Sequence, residues 1–199
     1  MQPTLSVVVT VYNEEENIKP LVERINNALQ DLDFELIYVD DGSTDGTIRE
    51  LKKLKNPRLK VLELMKNYGQ SLALMAGIDA AEGEYIATMD GDLQNDPSDI
   101  PEMLKLLKEE DWDMVAGERV NRRDGFILRK IPSKIANYII RNASGVKLRD
   151  YGCALKVFKA DIAKNLGLYG ELHRFIPALA VLEGAKISQM PVKHHARQF

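Results

Sequence analysis

The chain predicts an α/β protein, with a Rossmann-like, mostly parallel central sheet flanked by helices in a single domain. Two observations carry this. Short runs rich in β-branched residues alternate with segments of helical period, the rhythm of βα units joined by right-handed crossovers. The length, 199 residues of which 45% are hydrophobic, suits one domain with a substantial core.

Taken in order, LSVVVTVY (5–12) is continuous and β-branched, as in a parallel strand buried on both faces. From Glu14 to Leu32, Ile18, Leu21, Val22, Ile25, Ala28, Leu29 and Leu32 recur on one helical face. FELIYVDD (34–41) is a second strand, and TDGTIRELKKL a short second helix, with Ser43 and Asp45 as expected caps. LKVLEL (59–64), a helix over 69–81, EYIATMD (84–90), a helix near 98–110 and DMVAGER (113–119) continue the series. Beyond Arg119 the rhythm breaks. Helices around 126–144 precede a strand at 154–158, a helix near 173–183 and a last strand, KISQMPV.

Charge is more informative locally than globally. The net charge of −3 singles out no class of partner. From Arg119 to Arg149, however, nine Lys or Arg face one acid, Asp124. Such a stretch is either a solvated helix face or a surface for phosphates or anionic lipid. Within it Ile127, Ile131, Ile135, Tyr138 and Ile139 recur near helical spacing between Arg129, Lys130, Lys134 and Arg141. That pattern reads either as core packing with a basic outer face or as a helix lying on a membrane. The single cysteine, Cys153, excludes an internal disulfide and reads as a small buried hydrophobe. No apolar run approaches the roughly 18 residues needed to span a bilayer, and the opening residues enter a strand without the basic region and apolar core expected of a signal peptide.

Ligands of open α/β sheets bind beyond the carboxyl ends of the strands. Those ends read Tyr12-Asn13-Glu14, Asp40-Asp41-Gly42-Ser43, Lys66-Asn67-Tyr68-Gly69, Asp90-Gly91-Asp92 and Gly117-Glu118-Arg119. Any one could be turn chemistry; five on one edge of a sheet indicate a site. Neither a G-x-G-x-x-G after the first strand nor a G-x-x-x-x-G-K-[ST] is present, which argues against dinucleotide and P-loop enzymes. The carboxylate-rich mouth suits Mg²⁺, a hard cation held by one or two carboxylates together with substrate phosphates. Asp90 and Asp92 can supply those oxygens, and Asp96 before Pro97 fits a helix cap.

SVVVTVYNEEENI, YVDDGSTDGT, MKNYGQSLAL and MDGDLQNDP, in this order, resemble family 2 glycosyltransferases of the GT-A fold. RDYGCALKVFKAD, GELHRFIPALA and PVKHHARQF resemble the polyprenyl-phosphate glycosyltransferases, the group that includes dolichol-phosphate mannose synthase. The resemblance runs through the whole chain and implies residues 1–119 as a nucleotide-sugar and metal-binding half and 120–199 as an acceptor side. It implies that Tyr12, Asn13 and Glu14 line the nucleotide pocket, with Asp40 and Asp41 near base and ribose. Asp90, Asp92 and Gln94 would hold Mg²⁺ or Mn²⁺ and the donor diphosphate. Arg119 would stabilise the leaving diphosphate, while Arg129, Ser133, Arg174, His195 and Arg197 would hold the acceptor phosphate. Asp150 is either a base or acceptor-positioning group, or the salt-bridge partner of Arg149 or a neighbour. His173 and His194 read as structural.

The expected reaction is inverting, metal-dependent transfer of a hexose from a nucleoside-diphosphate sugar to a polyprenyl phosphate at the cytoplasmic membrane face. Nucleic acid is not among the expected partners. The alternatives are transfer to a saccharide hydroxyl, or a non-catalytic module binding a nucleotide sugar or lipid phosphate. Relatives of this group continue past the position of Phe199, often into transmembrane helices, so a membrane segment beyond it is expected.

Overall fold

The computed structural model describes residues 2–119 and 148–198. Its seven strands are β1 (Leu5–Val11), β2 (Phe34–Asp40), β3 (Leu59–Glu63), β4 (Tyr85–Asp90), β5 (Met114–Arg119), β6 (Lys156–Lys159) and β7 (Ile187–Val192). They form one sheet in the order β3-β2-β1-β4-β6-β5-β7. β1 pairs in parallel with β2 and β4, β2 with β3, and β5 with β7. β6 is antiparallel to both its neighbours, β4 and β5. The sheet is therefore mostly parallel, as expected, with one reversed strand whose direction no local pattern encodes.

Alternation along the strands divides the core between two faces. Val7, Val9 and Val11 of β1 join the apolar faces of α1 (Ile18–Ala28), α2 (Thr47–Lys53) and α4 (Ile100–Glu109). Val8, Ile37 and Ile86 point the other way, onto α3 (Gln70–Asp79), α5 (Ala160–Lys164) and α6 (Ile176–Leu182). Gly77 brings α3 close to the sheet: a Cβ there would lie 2.4 Å from Val8 Cγ1 and 2.9 Å from Val39 Cγ2. The edges are protected. β3 carries Lys60 and Glu63, and β7 carries Pro191.

Helix starts fall later than periodicity suggested, and two prolines supply a reason. The segment read as one helix from Glu14 is a 3₁₀ turn, Glu15–Asn17, followed by α1 from Ile18. Pro20 has no N–H for the helical ladder and is tolerated in a first turn but not deeper. Likewise Pro177 sits at the start of α6, which begins at Ile176 after a 3₁₀ turn, Leu172–Phe175. Ser43 does not cap α2. Its hydroxyl accepts from Asn13 N at 2.9 Å and donates to Asp40, while Asp45 Oδ1 accepts from Thr47 N at 2.9 Å. The segment expected as helices around 126–144, with its basic and apolar stripes, lies outside the described residues.

Candidate active site

The crossovers decide where the sheet opens. α1 and α2 cover one face and α3 the other, so the winding reverses between the adjacent strands β1 and β4. This is the switch point at which an open α/β sheet forms a crevice. A cleft of about 320 Å³ lies there, within the range of small-molecule sites. Thr10, Val11, Tyr12 and Glu14 form one wall, Asp90, Gly91 and Asp92 the other, and Asn67, Gly69 and Gln70 the start of α3.

The β4 wall concentrates the negative charge. Gln70 Nε2 donates to Asp90 Oδ1 at 2.6 Å, and Asp92 Oδ1 accepts from Gln94 N at 3.1 Å. Burial and the charge of Asp92 push the Asp90 carboxyl up to about 6, against the pull of Lys156, Arg119 and the Gln70 hydrogen bond. Gly91 is sterically required, since a Cβ would lie 2.3 Å from Val11 Cγ1. Leu93 takes a left-handed conformation, φ 61°, with its side chain wholly buried. A branched residue there is strained, and its anchoring turns the loop so that Asp92 faces the cleft.

The β1 and β2 loops brace each other. Asn13, left-handed at φ 55°, accepts from Thr44 N at 2.8 Å, and Glu14 N donates to Thr47 Oγ1 at 2.9 Å. Asp41 is buried on the cleft wall, where its carboxylate accepts from Tyr68 N at 2.7 Å and Gly69 N at 2.9 Å. Asp40 is also buried, bound to Ser43, and is not among the lining residues. Burial pushes the Glu14 carboxyl up, while Asn17 and Arg197 draw it down; Arg197 Nη2 pairs with it at 2.7 Å.

At the end of β5, Asp150 takes a two-pronged bond from Arg119, Nε at 2.7 Å and Nη2 at 2.9 Å, and accepts from Gly152 N at 3.1 Å. Asp150 thus forms a salt bridge, with Arg119 rather than with Arg149. The adjacent Arg149 reaches Glu118 at 3.6 Å. The C-terminal segment crosses the loop that follows β4. His195 N donates to Gln94 O at 2.8 Å, Gln94 Nε2 donates to His195 O at 3.3 Å, and His195 Nε2 meets Asp96 Oδ2 at 2.9 Å. Asp96 also caps the 3₁₀ turn Pro97–Asp99, as the sequence suggested.

Tyr12, Glu14, Asp41, Asp90 and Asp92 thus share one cleft, with Asn13 and Gln94 in the loops behind it and Arg197 tied to its edge. Arg174 is not among the lining residues and pairs with Glu171 at 3.2 Å. Arg129 and Ser133 lie outside the described residues. His173 is structural in its contacts, its Nδ1 2.8 Å from Ser71 Oγ. Two polar residues near Asp90 had escaped notice. Gln70 was visible within NYGQS, and Lys156 as a lone charge in the apolar run ALKVF.

Among the described residues no three His, Cys, Asp or Glu side chains cluster to hold a metal. The donors present still fit Mg²⁺ or Mn²⁺. Asp90 and Asp92 offer hard oxygens whose mutual repulsion a cation would relieve, and such ions complete their shell with water and substrate phosphate. Gln94 spends its amide nitrogen on His195 O, leaving its carbonyl oxygen for such a role. Among the described residues no helix is long and apolar enough to cross a membrane.

Comparison with known proteins bears on family and fold. Residues 6–167 match the model of glycosyl transferase family 2. The chain is 51% identical over 201 aligned positions to dodecaprenyl-phosphate galacturonate synthase of Rhizobium johnstonii, covering 98% of this chain and 60% of that protein. It is 39% identical to undecaprenyl-phosphate 4-deoxy-4-formamido-L-arabinose transferase of Photorhabdus laumondii, with 98% and 61% covered. The chain therefore spans about three fifths of the length of these relatives. Glucosyl-3-phosphoglycerate synthase of Mycobacterium tuberculosis, solved with Mn²⁺ and UDP-glucose, superimposes with a TM-score of 0.74 at 21% identity, over 99% of this chain and 72% of that one. At that identity the likeness is one of fold, and the fold is the expected GT-A type. The chain belongs to glycosyl transferase family 2.

Proposed function

We propose that this chain forms the catalytic domain of an inverting, metal-dependent transferase that moves a sugar, a hexose or hexose-derived unit, from a nucleoside diphosphate to a polyprenyl phosphate. One observation carries the reading: Asp90 and Asp92 line a switch-point cleft opposite Tyr12 and Glu14. Both relatives named above carry a polyprenyl phosphate in their names, and the solved relative was captured with Mn²⁺ and a nucleotide sugar. In this reading Tyr12 and the Asp41 wall hold the nucleoside. Asp90, Asp92 and Gln94 hold Mg²⁺ or Mn²⁺, which would neutralise charge on the diphosphate as it leaves.

The chain's own residues supply the rest. A phosphate monoester has a second pKa of about 6 and is largely a dianion at neutral pH, so it attacks without a base. A phosphate oxygen bonds to the sugar's anomeric carbon as the bond from that carbon to the diphosphate oxygen breaks, and no proton need move. Asp150, fastened by Arg119, suits a transferase that uses no base. Arg119, at the end of β5, can lend its charge to the departing diphosphate. A polyprenyl acceptor places the reaction at a membrane, which we assign to the cytoplasmic face. Arg129, Ser133, Arg174, His195 and Arg197 stay as proposed acceptor contacts.

The test is release of nucleoside diphosphate from a panel of UDP- and GDP-sugars that includes a uronate donor. It is run with Mg²⁺ or Mn²⁺, with and without a short-chain polyprenyl phosphate, on the wild type and Asp92→Ala. Release should require one donor, the metal, the lipid phosphate and Asp92. Release that ignores the lipid phosphate but responds to a saccharide would replace the acceptor, and donor binding without any turnover would make this a binding module.

A further inference from the structure

Lys156 is a charged residue where the fold offers a core position. β6 lies between β4 and β5, and Lys156 stands opposite Thr88 on one side and Ala116 on the other. Its strand neighbours Leu155, Val157 and Phe158 are completely buried, and Lys156 itself is 3% exposed. Its ammonium donates to the Cys153 carbonyl. An aliphatic side chain would occupy this position without the desolvation that a buried ammonium suffers. What the lysine adds is charge.

The strand register says where that charge acts. Thr88 and Asp90 are two residues apart on β4 and so share a face, which makes Lys156 the diagonal cross-strand neighbour of Asp90. Because β6 runs antiparallel, the residues that precede Lys156 lead back to the end of β5, where Asp150 holds Arg119. Burial lowers the Lys156 ammonium from the ordinary lysine range, while Asp90 and Asp150 are among the charges that resist the fall. The buried ammonium, hydrogen-bonded to the Cys153 carbonyl, thus acts through space on one carboxylate of the donor wall and one of the Arg119 pair.

We propose that Lys156 is a positioning residue: its buried ammonium is the shared counter-charge of Asp90 and Asp150 and fixes the end of β4 against the Arg119–Asp150 pair. It does not line the cleft and acts through Asp90. The functional part of this inference rests on the transferase reading above; the structural part does not.

The experiment is a double-mutant cycle on the unliganded protein, with Lys156→Met, Asp90→Asn and the two combined, read by thermal unfolding. Breaking one side of a buried charge pair is far costlier than replacing both. Lys156→Met alone should lower Tm by more than roughly 5 °C, and by less than half as much in the Asp90→Asn background. Equal losses in both backgrounds would overturn the proposal. Should Lys156→Met alone fail to fold, recovery of folded protein on adding Asp90→Asn supports the charge pairing, and failure in both backgrounds overturns it. Donor turnover then separates charge from bulk: Lys156→Arg should stay within about fivefold of wild type while Lys156→Met falls tenfold or more. An Arg variant as defective as the Met variant would overturn the positioning role. A wild type without turnover but with a coupled thermal cycle would sink the transferase reading and leave the counter-charge standing.

Discussion

Replacing Asp150 by Asn separates two chemistries, because the same carboxylate could hold Arg119 or take a proton. Its side chain is 8% exposed and that of Arg119 15%, so the pair is nearly but not wholly buried. Breaking a buried pair by neutralising one partner costs about 3–5 kcal/mol, and the residual exposure favours the lower end, about 3 kcal/mol. For a domain of this size each kcal/mol shifts Tm by roughly 2–4 °C. Asp150→Asn should therefore melt roughly 6–12 °C below wild type by scanning calorimetry. Arg119→Met should lose a similar amount, and the double variant should recover at least half of the summed loss. Turnover of Asp150→Asn should fall with the loss of Arg119 geometry, leaving the pH dependence of the residual rate unchanged in shape. An anchoring role would be refuted by the opposite pattern: a Tm within about 2 °C of wild type and a lipid-dependent rate down by the 10²–10⁴ expected for a lost base.

The Asp96–His195 contact gives a pH signature. Burial tends to raise the Asp96 carboxyl, but the hydrogen bonds from His195 and Ser98 outweigh it and lower the group to about 2. A carboxyl lowered on folding adds stability that is present above its unfolded value, near 4, and lost as pH falls through about 2. With His195 42% exposed, solvent screening limits this to about 1 kcal/mol. The gap in unfolding free energy between wild type and Asp96→Asn should hold at pH 6, shrink below pH 4 and close near pH 2; a gap that survives there would contradict the assignment. Gly91→Ala should reduce donor turnover at least tenfold and lower Tm, because Val11 must move from the cleft wall; unchanged donor KM and Tm would show that the wall yields freely. The Tyr38 hydroxyl is buried with no hydrogen-bond partner among the described residues. Tyr38→Phe should therefore raise stability by about 1 kcal/mol, checked by urea unfolding, and a loss would reveal a missing partner.

Much of the site was legible one strand at a time. Tyr12, Glu14, Asp41, Asp90 and Asp92 each follow an apolar run, and parallel winding alone brings such ends to one edge. The pairing of Asp150 with Arg119 was not legible, because the two lie 31 positions apart and meet only once the sheet is assembled. Nor could sequence show that both oxygens of Asp41 are spent on the backbone at Tyr68 and Gly69.

By itself the sequence determined what is local and periodic: the βα alternation, the two-faced strands, the polar strand ends and the absence of nucleotide-binding glycine motifs. Tertiary structure alone decided that β6 enters reversed between β4 and β5, that Lys156 lies buried beside Asp90, and that the C-terminal segment fastens the loop after β4 through His195. Strand direction, the neutralisation of buried charge and long-range hydrogen bonding are properties of the assembled sheet. They depend on which residues meet across it, and spacing along the chain does not encode that.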